Sequence, residues 1–161
     1  MRAINDISAI LDDYEGYMLL EKGLSDNTVV SYRADIDKLL RFLADKKMML
    51  RDTDAATLHE FLATLHDLGI APASQARIIS GLKSFFRYLK TEDYITDNPT
   101  LLIDAPHTGR HLPEVLSVEE IDRMIACIDL STPEGQRNRA IMETLYSCGL
   151  RVSELVNISL S

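Results

Sequence analysis

One short segment of this sequence places basic and hydroxyl side chains at helical spacing. Arg77, Ser80, Ser84 and Arg87 recur at three- and four-residue steps, opposite Ile78, Leu82, Phe85 and Leu89. Ser80 and Gly81 keep that face low. A slim cationic helix face fits the ~12 Å major groove of duplex DNA. Hydroxyls and arginines can reach both phosphates and base edges. The plain alternative is a solvated helix face, but such a face ordinarily mixes signs. Residues 68–91 instead hold Arg77, Lys83, Arg87 and Lys90 and no carboxylate.

The surrounding chain is acidic. Its net charge is −8, from 17 Lys and Arg against 25 Asp and Glu. Residues 1–67 carry −5, residues 92–161 carry −7, and residues 68–91 carry +4. The total argues against a polyanion partner, since phosphate binding needs a positive footprint. The local field matters more for docking, and it favours one.

Arg151 is the second candidate. It follows a helix stop at Gly149 and opens the next helix, where a cation faces the positive end of the macrodipole. Something anionic should compensate. Glu154, one turn on, can pair with it, and so can a phosphate, whose oxygens match the guanidinium fork. From spacing alone the structural pair is the simpler reading. His107 and His111 stand four apart on a Gly/Pro segment with no ligand cluster beside them, so no metal site is expected. With Arg110 they could touch a DNA backbone. Tyr14, Tyr17, Tyr32, Tyr88 and Tyr146 lie at or beside apolar helix stripes, and Tyr94 lies in a closing turn; packing accounts for all six. No Gly-rich phosphate loop, Ser/His/Asp set or carboxylate pair appears.

Helices must position these residues. The first is predicted over about 6–22, through Ile7, Ile10, Leu11, Tyr14 and Met18, and stops at Gly23. Ser25 or Asp26 caps a second, with the stripe Val29, Tyr32, Ile36, Leu39, Leu40 and Leu43. Its outer positions, Arg33, Asp35, Asp37, Lys38 and Arg41, alternate in sign and are expected to be exposed. A third opens at Thr53 or Asp54 and ends near Gly69. A fourth spans about 73–90. Asp97-Asn98-Pro99 closes this bundle, and residues 104–113 read as a linker. Ser117 and Glu120 form a capping box opening a fifth helix. Pro133 or Glu134 opens a sixth, to Cys148. The last residues, 156–161, alternate apolar and polar, as in a strand or a final helical turn. The second unit therefore reads as unfinished.

Composition sets outer bounds. The 46% hydrophobic and 26% charged content of 161 residues excludes disorder and leaves room for a buried core. No apolar run approaches a membrane span, and the charged start is unlike a secretory signal. Cys127 and Cys148 are too few for a disulfide framework. A reduced cytoplasm fits best.

The motifs together resemble one family. Leu145-Tyr146-Ser147-Cys148-Gly149-Leu150-Arg151-Val152-Ser153-Glu154-Leu155 resembles the first catalytic-arginine motif of tyrosine recombinases, the phage-integrase family. Leu24 to Thr28 with Ser31 to Asp35, Ala76 to Leu89, Asp97-Asn98-Pro99, and Leu112-Pro113 with Leu116-Ser117 resemble successive parts of its N-terminal core-binding domain and domain junction. The Xer subgroup, the bacterial chromosome-dimer resolvases, is most similar.

The resemblance implies a mainly α fold. An N-terminal four-helix, SAM-like core-binding bundle (1–103) precedes a linker (104–113). The truncated start of a mixed α/β catalytic domain follows (114–161). It implies duplex DNA as partner, gripped through the second and fourth helices, with Arg77, Ser80, Lys83, Ser84, Arg87 and Arg33 as contacts. A second recombinase subunit would complete a homo- or hetero-tetramer on the DNA. The whole enzyme would cleave one strand through a tyrosine, forming a 3′-phosphotyrosyl bond without metal or nucleotide cofactor, in chromosome dimer resolution or integration. Arg151 would hold the scissile phosphate and Glu154 would support it. The lysine, the His-x-x-Arg motif and the nucleophilic tyrosine of the family have no match in these residues. The chain alone is therefore expected not to cleave. The alternatives are a non-catalytic helical module that regulates recombination and an acidic helical protein-interaction domain.

Overall fold

The computed structural model describes residue 4, residues 6–106 and residues 115–159. Two compact units divide the chain, Met1–Arg110 and His111–Ser161. His107, Arg110, His111, Leu112 and Pro113 of the expected linker and junction lie outside the described residues, as do Leu160 and Ser161.

The first unit holds four helices. Helix α1 spans Ile7–Gly16. The Asp6 carboxylate caps it, accepting from the amides of Ser8 at 2.9 Å and Ala9 at 3.3 Å. The chain widens into a π-turn over Tyr17–Glu21 and leaves the helix at Gly23, whose φ of +60° suits a residue without a side chain. Helix α2 runs over Asp26–Asp45. A 3₁₀ turn, Leu50–Asp52, leads to α3, Ala55–Asp67. Of the two caps expected for α3, Asp54 serves. It accepts from the Thr57 hydroxyl at 2.7 Å and the Thr57 amide at 2.8 Å, which hold its carboxyl below the usual range. Helix α4 spans Pro72–Thr91, with proline in the first turn, where its missing N–H costs nothing.

These helices bury one continuous core. The expected stripe of α4, Ile78, Ile79, Leu82, Phe85, Phe86 and Leu89, is entirely buried. Tyr14 of α1 packs its ring edge-on against Phe85, centroids 5.1 Å apart, and lies 5.2 Å from Tyr88. Helices α2 and α4 pack closely where Gly81 faces Tyr32. A Cβ at Gly81 would stand 3.1 Å from Tyr32 Cδ1. Asn98 Oδ1 accepts from the amide and hydroxyl of Thr100, at 2.9 and 2.7 Å, and closes the unit in a turn.

One expectation for α2 is corrected. Asp35 is not a solvated charge but has a fully buried side chain. Its bidentate partner, Arg77, comes from α4, out of reach of any local pattern.

The second unit begins with α5, Val118–Ala126, opened by the expected capping box. Ser117 Oγ accepts from the Glu120 amide at 3.2 Å, and Glu120 accepts from the Ser117 amide at 2.8 Å. Helix α6, Pro133–Cys148, is capped by Thr132 and stopped by Gly149 at φ +62°. Helix α7 spans Val152–Val156. The alternating residues after it begin as the end of that helix, with Asn157 and Ile158 donating back to Glu154 and Leu155. No described residue lies in a strand. No described helix is long and apolar enough to cross a membrane.

Candidate nucleic-acid interface

Helix α4 carries the cationic stripe. A period of 3.6 residues sets Arg77, Ser80, Ser84 and Arg87 on one side, with Lys83 at its edge. Arg77, Ser80 and Arg87 are exposed, whereas Lys83 and Ser84 are half-buried. Ser80 Oγ donates to the Ala76 carbonyl at 3.0 Å, which folds it onto the helix and keeps the face low. Among the described residues, Lys83 and Arg87 form no ion pair. They line a shallow groove with Asn98, Thr100 and Leu101, none of which is a carboxylate.

Arg77 behaves differently. Its Nη1 donates to Asp35 Oδ2, and its Nη2 donates to Asp35 Oδ1 at 3.1 Å. Lys38 Nζ shares Oδ1 at 2.9 Å. A carboxylate withdrawn from water needs such partners, and here they tie α2 to α4. The Arg77 side chain stays 42% exposed. It lines a second groove with Asn27, Thr28, Ser31 and Tyr32 of α2.

Those α2 residues are additions to the expected set. Asn27, Thr28 and Ser31 put an amide and two hydroxyls beside Arg77. Their signal was present at helix spacing, 27–28–31, next to the capping serine. Polar side chains in a first helical turn ordinarily signify capping, which masked it.

Arg33 stands apart from this stripe. Its guanidinium meets Glu15 at 2.6 Å and Asp12 at 3.5 Å on α1, and Asp37 at 3.7 Å on α2. Three carboxylates surround it, so its charge is spent between α1 and α2. That geometry does not favour Arg33 as a phosphate contact.

Tyr14 is buried below the stripe. Its hydroxyl makes no hydrogen bond of good geometry. Burial pushes the phenol up to about 12, and the nearby Ser84 hydroxyl offsets part of that effect. A phenol so held is a poor nucleophile.

In the second unit, Arg151 occupies the N-cap of α7 with its side chain 83% exposed. Glu154 accepts from the Arg151 backbone amide at 2.7 Å and from its Nη1 at 3.0 Å. One carboxylate thus fixes both ends of the residue and leaves most guanidinium donors open.

Comparison with known proteins agrees with this architecture. The chain is 42% identical over 151 residues to a tyrosine recombinase XerD of Pseudomonas putida, covering 94% of this chain and 51% of that protein. It is 38% identical to the XerD of Proteus mirabilis, covering 97% of this chain and 50% of that one. The chain thus spans about half the length of these relatives. A solved lambda integrase dimer bound to a COC′ core site is 26% identical, with a TM-score of 0.70 over 94% of this chain and 41% of that one. An integrase from mycobacterium phage Brujita, 16% identical, shares the fold with a TM-score of 0.58 over 94% of this chain and 49% of that one. The expected Xer-type resemblance and mainly α fold are thereby borne out. Residues 11–93 match the phage integrase N-terminal SAM-like domain, and the chain belongs to that family.

Proposed function

We propose that this chain grips duplex DNA through the α4 face and serves as the DNA-binding portion of a site-specific tyrosine recombinase. The carrying observation is the set of uncompensated cations on that face. Lys83 and Arg87 lack carboxylate partners among the described residues, in a protein of net charge −8. Ser84 between them and Ser80 one turn earlier keep this face low enough for the helix to approach a groove. Asn27, Thr28 and Ser31 extend the same surface with a neutral amide and two hydroxyls.

The second unit would supply Arg151 to the scissile phosphate. Its open donors suit two non-bridging oxygens, and Glu154 holds the residue for that contact. The strand would be cut by a tyrosine of the longer protein, through a 3′-phosphotyrosyl intermediate, with no metal or nucleotide required. The partners would be a recombination site and a second recombinase subunit, in a homo- or hetero-tetramer on DNA. The setting would be the cytoplasm, in chromosome dimer resolution or integration. The lambda integrase dimer on its core site supports the DNA and subunit partners.

Fluorescence anisotropy with a labelled duplex across a salt series tests the reading. Lys83→Ala with Arg87→Ala should weaken binding about tenfold or more and lower the salt slope by about two. Binding unchanged in affinity and slope would remove α4 as the interface.

A further inference from the structure

We propose that Asp35 is a positioning residue that holds Arg77 as a fixed two-pronged donor for a guanine edge. Arg77 would then read sequence, while Lys83 and Arg87 supply sequence-independent attraction. The proposal rests on the DNA-binding reading and deepens it.

The geometry of the guanidinium carries the argument. Arginine offers five N–H donors in a planar fork. Both oxygens of Asp35 take the Nη1/Nη2 end, and the Ser31 carbonyl accepts from Nη1 at 3.4 Å. Three donors are thereby engaged. The two that remain, Nε–H and the outer Nη2–H, lie parallel along the side edge of the group. Neither has a partner among the described residues, and the side chain is 42% exposed. Two parallel donors match two adjacent acceptors, as guanine O6 and N7 present them in the major groove.

Phosphate offers two oxygens as well. Charge distinguishes the two ligands. Asp35 lies directly on Arg77 and is shared with Lys38, so the three groups keep one positive charge and Arg77 adds less to counterion release than an unpaired cation would. What the pair retains is direction. The arm is also ordered before DNA arrives, so less side-chain freedom is lost on binding. Lys83 and Arg87 have the opposite character, with charge uncompensated and no fixed partner. A buried carboxylate is an unfavourable device for fastening two helices, but an effective one for aiming an arginine.

The test uses the chain against a pool of random duplexes at moderate salt. Bound sequences are recovered, and affinities are measured for enriched and scrambled duplexes. The chain should enrich a guanine at one position. Arg77→Lys keeps the charge and removes the fork. It should abolish that preference, lower affinity for the enriched duplex about tenfold, and leave the salt slope unchanged. Asp35→Asn should weaken the preference while holding or raising affinity for scrambled DNA, because one negative charge is lost. Circular dichroism confirms that each variant is folded. If Asp35→Asn unfolds the unit, Arg77→Lys, altered only at a half-exposed side chain, decides alone. Equal losses on enriched and scrambled duplexes would make Arg77 a phosphate contact and overturn the proposal, with DNA binding intact. Binding without any base preference would also overturn it. No binding to any duplex would overturn both readings.

Discussion

Asp35 and Arg77 lie 42 residues apart in sequence and share one bidentate contact between α2 and α4. The pair is asymmetric, because Asp35 is fully buried and Arg77 is 42% exposed. Removing the arginine strands a carboxylate with Lys38 alone, whereas removing the carboxylate leaves two cations that can reach water. Arg77→Ala should therefore cost about 2 kcal/mol in urea denaturation, and adding Asp35→Ala should recover part of that loss. Strictly additive losses would show that the two side chains do not depend on each other.

Tyr14 predicts an alkaline weakness. Its folded value of about 12 lies above the ordinary 10.0. Below pH 10 both folded and unfolded chains hold the phenol proton, and the contribution is complete. As pH rises from 10 towards 12, only the folded chain holds it, so stability falls, by about 2–3 kcal/mol at most. Tyr14→Phe should flatten this part of the pH–stability curve. It should also spare the cost of a buried hydroxyl lacking a well-made bond, about 1 kcal/mol. A variant with the same alkaline slope as the parent would place the effect elsewhere.

Gly81 is a spacing residue between two helices. A side chain there meets the Tyr32 ring at 3.1 Å and 3.3 Å. Gly81→Leu should push α4 from α2 and cost about 2 kcal/mol, despite the better helix propensity of leucine. Tyr32→Ala in the same chain should restore much of the loss. Thermal melts of the single and double variants measure both effects.

Arg151 should be silent in the chain and decisive in a recombinase that carries it together with a nucleophilic tyrosine. Its side chain is 83% exposed, so Arg151→Ala should change stability by no more than about 0.5 kcal/mol. If it holds the scissile phosphate, the same change should slow strand cleavage about 100-fold or more while leaving DNA binding nearly intact. Glu154→Gln should give a smaller loss of the same kind. Cleavage at the parental rate in Arg151→Ala would dismiss the catalytic role.

Local chemistry made most helix ends legible. Asp54, the Ser117–Glu120 box and the stops at Gly23, Gly69 and Gly149 act over one turn, and all three glycines adopt positive φ. The buried stripe of α4 was equally plain, since a 3.6-residue period is a property of one helix. Asp35 was not legible. In a sign-alternating run it looks solvated, and Lys38 three residues on does not by itself account for a burial that the arginine 42 residues on completes. Arg33 hid for the same reason, since its carboxylates lie on α1 as well as α2. Asn27, Thr28 and Ser31 gain their interest from Arg77 across the groove, which spacing within α2 cannot show.

Burial is divided unevenly along this chain. Among the described residues, every buried hydrophobic side chain belongs to residues 10–103, and Gly135 alone is buried in α5, α6 and α7. A calorimeter should register that inequality. The heat absorbed on melting should be near the ~70 kcal/mol of a 100-residue protein rather than the ~110 kcal/mol that 161 residues would give. Amide hydrogens of the last three helices should exchange with solvent well before that transition, since so little apolar packing opposes their opening.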